Sequence, residues 1–289
     1  MLAFIERYFE LKRHNTTIKQ ELIAAFTTFI TMVYIAFVNP KILGAAGMDT
    51  QAVFVTTVLI TAIASVLMGA VAKLPIALAP GMGINAYFAY VLVGANGLTW
   101  ETGMTLIFLS AVSLFLLSLF KIRYWMVSNI PYSLRIGISV GCGLLITLIG
   151  LHNAHIIVAN PDTMVALGDP KSISFALGAL GFLIVIVLAQ RNVYASVLIS
   201  FVVVTAIALL IDPEVSYHGL VSMPPSIAPV AGHLDFKDVF SASMVGIIVS
   251  VMLINLFESS GTFIAVTSKA GLTNEQGNYP NQQKSLLID

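Results

Sequence analysis

The sequence predicts an all-α polytopic membrane protein, and two observations carry this prediction. Of the 289 residues, 58% are hydrophobic and only 10% are charged, whereas an ordinary soluble domain carries roughly 25% charged residues. The apolar residues are also grouped into runs of about 20, the length at which a helix crosses a hydrocarbon core about 30 Å thick. This composition excludes most soluble folds.

Eight apolar runs are long enough to be membrane spans. They cover residues 21–38, 51–71, 75–94, 103–120, 130–151, 172–190, 192–211 and 239–266. If the N-terminus lies in the cytoplasm, eleven of the 14 Lys and Arg residues fall on the cytoplasmic side, and the others are Lys41, Lys171 and Lys237. Because cytoplasmic loops hold the excess of Lys and Arg, this asymmetry predicts a multi-pass protein of the inner (plasma) membrane with a cytoplasmic N-terminus.

Polar segments separate or flank these runs. Residues 1–20 and 269–289 are predicted to be cytoplasmic, and the loops 152–171 and 212–238 are predicted to be extracytoplasmic. The Pro-rich composition of the second loop argues against a continuous helix there.

The cysteine and histidine residues are not spaced in a way that predicts a metal site. Cys142 is the single cysteine and lies inside a span, so neither an intrachain disulfide nor a cysteine cluster is expected. His152 and His155 are spaced for two ligands on one metal, but no third ligand stands at a convincing spacing. We therefore expect no metal and no cofactor.

The third run is unusual among the predicted spans. Pro75 and Pro80 each remove a backbone donor, and Gly81 and Gly83 are poor helix formers. These residues predict an extended segment over 76–80 in place of a continuous helix. Since non-helical backbone in lipid is tolerated only where it is buried in protein or lines a wet cavity, the break predicts a cavity.

A half-helix over residues 85–93 is expected to follow the break. Asn85 is a good N-cap for the apolar stretch after it, and a half-helix N-terminus near the midplane offers free N–H groups to a polar ligand. The alternative is a proline-kinked packing helix in which Asn85 only caps its own helix.

The eighth run contains Glu258, the only acidic residue well inside any apolar run. A carboxylate within a span is a functional-site hypothesis by default, and Asn255, Glu258 and Thr262 share one helix face. Such a carboxylate can bind and release a proton, so the two unusual spans together predict a cation-coupled transporter. The alternative is a helix that ends near Phe257, with Glu258 in contact with water at the interface.

Two short motifs resemble enzyme signatures. Residues 81–86 fit the G-x-G-x-x-A turn of dinucleotide-binding enzymes with Glu101 as the acidic partner, and residues 137–141 fit the G-x-S-x-G elbow of hydrolases. Both motifs require a strand before the helix, whereas both lie in apolar membrane runs here. We therefore expect neither an enzyme nor a nucleic-acid-binding protein.

Four segments in the expected order resemble the AzgA-like hypoxanthine, adenine and guanine permeases. These segments are TTFITMVYIAFVNPKILGAAGMD, LAPGMGINAYFAY, IGLHNAHIIV and FESSGTFIAV. The family belongs to the nucleobase-cation symporter superfamily, which also holds xanthine and uracil permeases. The resemblance extends from Thr17 to Asp289.

The resemblance implies a fold of 14 spans in two inverted repeats of seven. It implies a core domain from residues 21–120 and 239–268, and a gate domain from residues 121–211, with an elevator-like movement between them. It also implies a membrane-embedded purine permease coupled to a cation, with a proton expected. Which purine is carried, whether sodium replaces the proton, and whether the protein forms a homodimer stay open.

The resemblance also implies the residues of a substrate site. The expected purine-binding residues are Asn85, Glu258, the backbone of Gly81, Met82, Gly83 and Ile84, and one turn further on Thr262. Glu258 is in addition the expected proton-coupling residue.

The sequence ends at Asp289, where the ninth span is expected to begin. The resemblance implies a tenth span that mirrors the third and supplies a second acidic residue, and we expect this span to be missing from the sequence and the implied site to be half complete. We expect a fragment of a longer permease or a truncated product. The alternatives are a transport-incompetent fragment and an anion transporter, for sulfate or a dicarboxylate, with the same fold.

Overall fold

The computed structural model describes residues 6–12, 16–129, 131–193, 195–211, 223–237, 239–274 and 278–289. Parts of the predicted cytoplasmic segment 1–20 and of the predicted loop 212–238 lie outside the described residues.

The described chain is mostly helical. Its helices are α1 Ile18–Met32, α2 Ile35–Gly44, α3 Thr50–Leu67, α4 Met82–Ala86, α5 Trp100–Leu119, α6 Ile122–Asn129, α7 Tyr132–Asn153, α8 Ile173–Gln190, α9 Ser196–Ile211, α10 Ala242–Lys269 and α11 Gln282–Ile288. Two π-helical stretches, Met68–Ala72 and Tyr87–Ala95, continue α3 and α4.

Helices lie at the positions of all eight predicted runs, with the third run broken. Within the described residues, five helical segments are long and apolar enough to cross a membrane: Ile18–Gly44, Thr50–Ala72, Trp100–Leu119, Ile173–Gln190 and Ala242–Lys269. The segments Met82–Ala95 and Ser196–Ile211 are apolar but shorter. A polytopic helical architecture is therefore confirmed, while the count of eight crossings and the inverted repeat stay predictions.

Several helices begin at a residue whose side chain accepts a hydrogen bond from the first turn. Thr17, Asp49, Thr99 and Ser172 occupy this N-cap position in α1, α3, α5 and α8. Short polar side chains of this kind satisfy one of the backbone N–H groups that a helix leaves free at its start. The polar residues between the apolar runs thus fix where these helices start.

The chain forms two compact units, of which the first comprises Met1–Ile35 and Thr147–Met223. In this unit α8 packs against α9, and the Ser200 hydroxyl donates to the Gly181 carbonyl at 2.9 Å. The segment that the sequence indicated only as a polar loop, 152–171, contains an antiparallel hairpin of β1 Ile157–Asn160 and β2 Met164–Leu167. The Asn160 side chain accepts hydrogen bonds from the two backbone N–H groups that follow in its turn.

The second unit comprises Ala36–Ile146 and Pro224–Asp289. Two hydrophobic clusters hold the third run at both ends of its break. Phe88 and Leu92, which follow the break, pack with residues of α2, α3 and α10. Leu74, which precedes the break, packs with Met68 and with Phe263 of α10. Burial on both sides therefore fixes the position of the extended segment.

The C-terminal segment, residues 278–289, also belongs to the core of the second unit. Arg123, only 2% exposed, donates to the Leu286 carbonyl at 2.6 Å and pairs with Asp289 at 2.5 Å. Tyr279 stacks on Phe263, and its hydroxyl lies 3.1 Å from that of Ser285. Burial raises the pKa of Tyr279 to about 12, so its hydroxyl stays neutral and available for this hydrogen bond.

The division into a core and a gate domain stays a prediction.

Candidate functional site

The break predicted in the third run is present. Residues 74–81 are extended, after Lys73 in the left-handed conformation ends the preceding π-helical turn, and α4 begins at Met82. Pro75 and Pro80 both lie within this extended segment. Their missing N–H groups and fixed φ explain why the helix does not run through it.

A single hydroxyl of α3 fixes the middle of the extended segment. Ser65 Oγ accepts from the backbone N–H of Leu78 at 3.0 Å and donates to the Leu78 carbonyl at 3.2 Å. Both backbone groups of the half-buried Leu78 are thereby paired, as backbone outside a helix or sheet requires when it leaves water. Sequence reasoning missed Ser65, because one serine in an apolar span carries no signal that distinguishes it from others.

The predicted N-cap at Asn85 is wrong. The N-cap of α4 is Gly81, whose backbone is extended (φ −68°, ψ 116°) and whose carbonyl accepts from the Asn85 N–H at 3.2 Å. Asn85 thus lies inside the first turn. The helix begins earlier than expected because the Glu258 carboxylate, which comes from another helix, accepts a hydrogen bond from a backbone N–H of its first turn.

Glu258 lies within α10, which continues without interruption from Ala242 to Lys269. The alternative of a helix ending near Phe257 is therefore wrong. Glu258 Oε1 accepts a hydrogen bond from the Gly83 N–H at 3.0 Å. A carboxylate at a helix N-terminus is favoured by the free N–H groups and by the helix dipole.

The second carboxylate oxygen has a different environment. Glu258 Oε2 is buried and has no hydrogen-bond partner within the described part of the chain. A buried acceptor without a partner is costly, and the backbone N–H of Ile84 in the same turn also acts on this carboxylate.

The close approach of this carboxylate explains the two glycines. A Cβ at Gly83 would lie 2.9 Å from both carboxylate oxygens, and a Cβ at Gly81 would lie 3.3 to 3.4 Å from them. At position 83 only a residue without a side chain lets the backbone come so close, whereas a side chain at position 81 would make a tight contact that a small shift relieves. The contact with Glu258 therefore accounts for the second glycine of the G-x-G spacing and favours the first.

The side chain of Asn85 also joins a buried polar network with residues of α2 and α3. Its Nδ2 donates to Oδ1 of Asn39 on α2, and Asn39 Nδ2 donates to the Thr57 hydroxyl on α3 at 2.8 Å. Asn39 and Thr57 are each only 3% exposed. Sequence reasoning missed both residues, although an amide directly after the first apolar run was an available signal for Asn39.

The remaining predicted site residues lie near the break or one turn away from it. Met82 and Ile84 are half-buried in the first turn of α4. Thr262 lies on α10 one turn beyond Glu258, and its side chain is exposed. The structure therefore brings Gly81, Gly83 and Glu258 into direct contact and places Asn85 in the same turn.

Comparison with known proteins gives the family. The model of the Permease family, named for xanthine and uracil permeases, matches residues 19–289. Adenine permease AdeP of Escherichia coli (strain K12) is 54% identical over 287 residues, which cover 99% of this chain and 64% of that protein. Adenine permease AdeQ of the same strain is 55% identical over 285 residues, with coverage of 99% and 64%.

More distant relatives share the same region. Guanine/hypoxanthine permease PbuO of Bacillus subtilis (strain 168) is 37% identical over 286 residues, which cover 97% of this chain and 66% of that protein. The chain thus spans about 64% of the length of the adenine permeases that it matches. The resemblance to nucleobase permeases is confirmed, and with its long apolar helices the chain is an integral membrane protein that belongs to the Permease family of xanthine and uracil permeases.

Proposed function

We propose that this chain contributes the purine-binding part of a transporter that carries a nucleobase across the inner membrane together with a proton. The observation that carries the proposal is the hydrogen bond from Gly83 to Glu258, which holds a carboxylate at the break of a membrane helix beside Asn85. The family match and the relatives named as adenine and guanine/hypoxanthine permeases support the same function.

The chemistry of the site suits a purine. A purine presents N–H donors and ring-nitrogen acceptors along its edge. Among the described residues Glu258 Oε2 has no hydrogen-bond donor, and the side-chain amide of Asn85 offers a second polar contact in the first turn of α4. The backbone of Gly81, Met82, Gly83 and Ile84 and the hydroxyl of Thr262 complete the proposed binding set.

The position of Glu258 supports proton coupling as part of the proposal. A protonated carboxyl is a poorer acceptor for the Gly83 N–H and gains a donor of its own. Uptake of a proton would therefore change both the start of α4 and the hydrogen bonds available to the base. We propose that this change accompanies an elevator-like movement of a core domain against a gate domain, in a dimer with cytoplasmic N-termini.

An anion is a poorer candidate substrate. The N-terminus of α4 would be the natural anion site, but the carboxylate of Glu258 already occupies it. A second negative charge next to this carboxylate would be repelled.

The test combines uptake and direct binding. Cells that lack their own purine permeases would express the chain and be supplied with radiolabelled adenine, hypoxanthine, guanine or sulfate. We expect uptake of a purine that a proton uncoupler abolishes. Binding to the purified chain in lipid nanodiscs, measured in parallel, separates recognition from transport: purine binding without uptake contradicts transport by this chain, and sulfate binding without purine binding contradicts the proposed substrate.

A further inference from the structure

Helix α6, Ile122–Asn129, follows α5 after a short turn made by Phe120 and Lys121. Phe120 is the C-cap of α5, and Lys121 takes the left-handed conformation (φ 61°) that ends the helix. Because α5 is long and apolar enough to cross a membrane, its end lies at a membrane surface. Helix α6 begins directly after the turn and therefore lies close to that surface.

The two faces of α6 have different surroundings. Arg123 is 2% exposed, and its guanidinium binds the Leu286 carbonyl and the Asp289 carboxylate of the C-terminal segment. Trp125 lies two positions further on, which places it on the opposite face of the helix, and it is 65% exposed. One face of α6 is thus fixed to the protein, while the other presents a large aromatic ring outwards.

This outward face suits the boundary between lipid and water. Phe120, in the turn before α6, is 70% exposed and adds a second aromatic ring close to Trp125 in the chain. Exposure of such rings to water is unfavourable, whereas the amphipathic ring of tryptophan is favoured at the level of the lipid headgroups. Aromatic residues at the end of a membrane-crossing helix therefore indicate that α6 lies on the bilayer surface.

The charges around α6 are predominantly positive. Three exposed lysines, which we call the lysine cluster, lie in the turn before α6, at the end of α10 and on α11: Lys121, Lys269 and Lys284. Helices α10 and α11 both pack against α6. Among the described residues of α6, of α11 and of the last turn of α10, the acidic residue is Asp289, which is paired with the buried Arg123. Lysine stems can lie along apolar surface while their ammonium groups reach phosphate, so this surface fits anionic phospholipids.

We propose that α6 is a membrane-surface anchor that binds anionic phospholipids. Trp125 and Phe120 lie in the headgroup region, and the lysine cluster binds the lipid phosphate groups. The anchor does not depend on which substrate is transported, so it goes beyond the proposed function. Since α6 joins α5 to α7, the bound lipid holds the chain at the junction of these two helices.

The first test locates α6 in the bilayer. The sequence contains two tryptophans, Trp100 at the start of α5 and Trp125 on α6, so Trp100→Phe leaves Trp125 as the single tryptophan fluorophore. The variant is placed in nanodiscs whose lipids carry bromine, a quencher, either near the headgroup or at the far end of the acyl chain. We expect the bromine near the headgroup to quench more strongly. Stronger quenching by the deep bromine overturns the proposal, as does quenching by aqueous iodide alone.

The second test measures lipid preference by energy transfer from Trp125 to dansyl-labelled phosphatidylglycerol or phosphatidylcholine. We expect phosphatidylglycerol to be enriched about fivefold near Trp125, the ratio for one lysine close to an anionic surface. Replacing the three lysines of the cluster by glutamine should abolish the enrichment. Lys171→Gln, which changes an exposed lysine of the other compact unit, should leave it unchanged. Trp125→Phe keeps Trp100 at the other end of α5 and should report no enrichment.

Equal transfer to the two lipids overturns the proposal, and an enrichment that survives loss of the lysine cluster overturns the assignment of these lysines. Inorganic phosphate separates the two sources of a phosphate group. If phosphate abolishes the enrichment more strongly than chloride of the same ionic strength, the surface is a site for free phosphate and the lipid assignment is wrong. If Trp100→Phe does not fold, the difference between the original chain and Trp125→Phe gives the signal of Trp125 instead.

Discussion

The carboxylate of Glu258 accepts a hydrogen bond from the backbone N–H of Gly83 at 3.0 Å, although 175 positions separate the two residues in the chain. Helix α10 thereby supplies a hydrogen-bond acceptor to the first turn of α4, the half-helix of the third run. The N-terminus of that half-helix is consequently occupied by a group of the protein itself.

Gly83→Ala should disturb the site directly. A Cβ at this position would lie 2.9 Å from both carboxylate oxygens, so the Glu258 side chain must move and the hydrogen bond to the N–H is lost. We expect purine affinity to fall by about tenfold, the effect of losing one well-placed hydrogen bond. Binding of radiolabelled adenine to the purified variant measures this.

The matched control for that variant is Gly246→Ala on α10, where a Cβ would meet no described atom within 4 Å. We expect it to bind as the original chain does. Gly81→Ala, with a contact of 3.3 Å, should lie between the two. Equal affinities of the Gly83 and Gly246 variants would contradict the assigned contact.

Glu258→Gln and Glu258→Leu should have different effects. Glutamine keeps an acceptor for the Gly83 N–H but cannot ionise, so the protein should stay folded while the pH dependence of purine binding disappears. Leucine removes the acceptor as well and should lower the free energy of unfolding by about 1 to 2 kcal/mol, as loss of a cap does. Binding between pH 5 and pH 8 and thermal unfolding measure the two effects.

A pH profile that is unchanged in Glu258→Gln would show that another group takes up the coupled proton. An unfolding midpoint that is the same for the glutamine and leucine variants would show that the Gly83 N–H needs no acceptor.

Ser65→Ala should loosen the extended segment. The substitution leaves both the N–H and the carbonyl of Leu78 without the partner they have now, at a cost of about 1 to 3 kcal/mol for each buried group that finds no substitute. Hydrogen exchange at the Leu78 amide should become at least about tenfold faster. Ser250→Ala, whose exposed hydroxyl bonds only to a carbonyl of its own helix, is the control and should leave that exchange unchanged.

Arg123→Met should release the segment 278–289. Arg123 holds the Leu286 carbonyl and the Asp289 carboxylate from a buried position, and methionine keeps the apolar stem without these bonds. We expect hydrogen exchange across α11 to become several-fold faster while α5 stays protected. The control is Arg191→Met, which changes an exposed arginine and should not alter exchange in α11. Slow exchange of α11 in both variants would show that hydrophobic packing alone holds this helix.

The features that could be predicted from the sequence are those with a strong local cause. Pro75 and Pro80 remove backbone donors wherever they stand, so the break in the third run was predictable. Glu258 was conspicuous because a carboxylate is rare among apolar residues. The prediction of an N-cap at Asn85 was wrong because the Glu258 carboxylate, from a helix distant in sequence, binds the start of α4. No local sequence pattern indicates such a distant partner.

The network of Asn39 and Thr57 could not be predicted for a different reason. Threonine hydroxyls within helices commonly bond to a carbonyl one turn earlier, as Thr27 and Thr28 do here. Thr57 makes the same local bond and also accepts from Asn39. Only the tertiary structure distinguishes a threonine that receives this second bond.

The contact between Gly83 and the Glu258 carboxylate also limits how the two positions can diverge between related lineages. A methyl group at position 83 fits only if the carboxylate first withdraws, and Glu258→Asp withdraws it by about one bond length, roughly 1.5 Å. An evolutionary path that enlarges position 83 must therefore pass through a shorter acid on α10. Aligned descendants should show these two distant positions exchanging size as a pair.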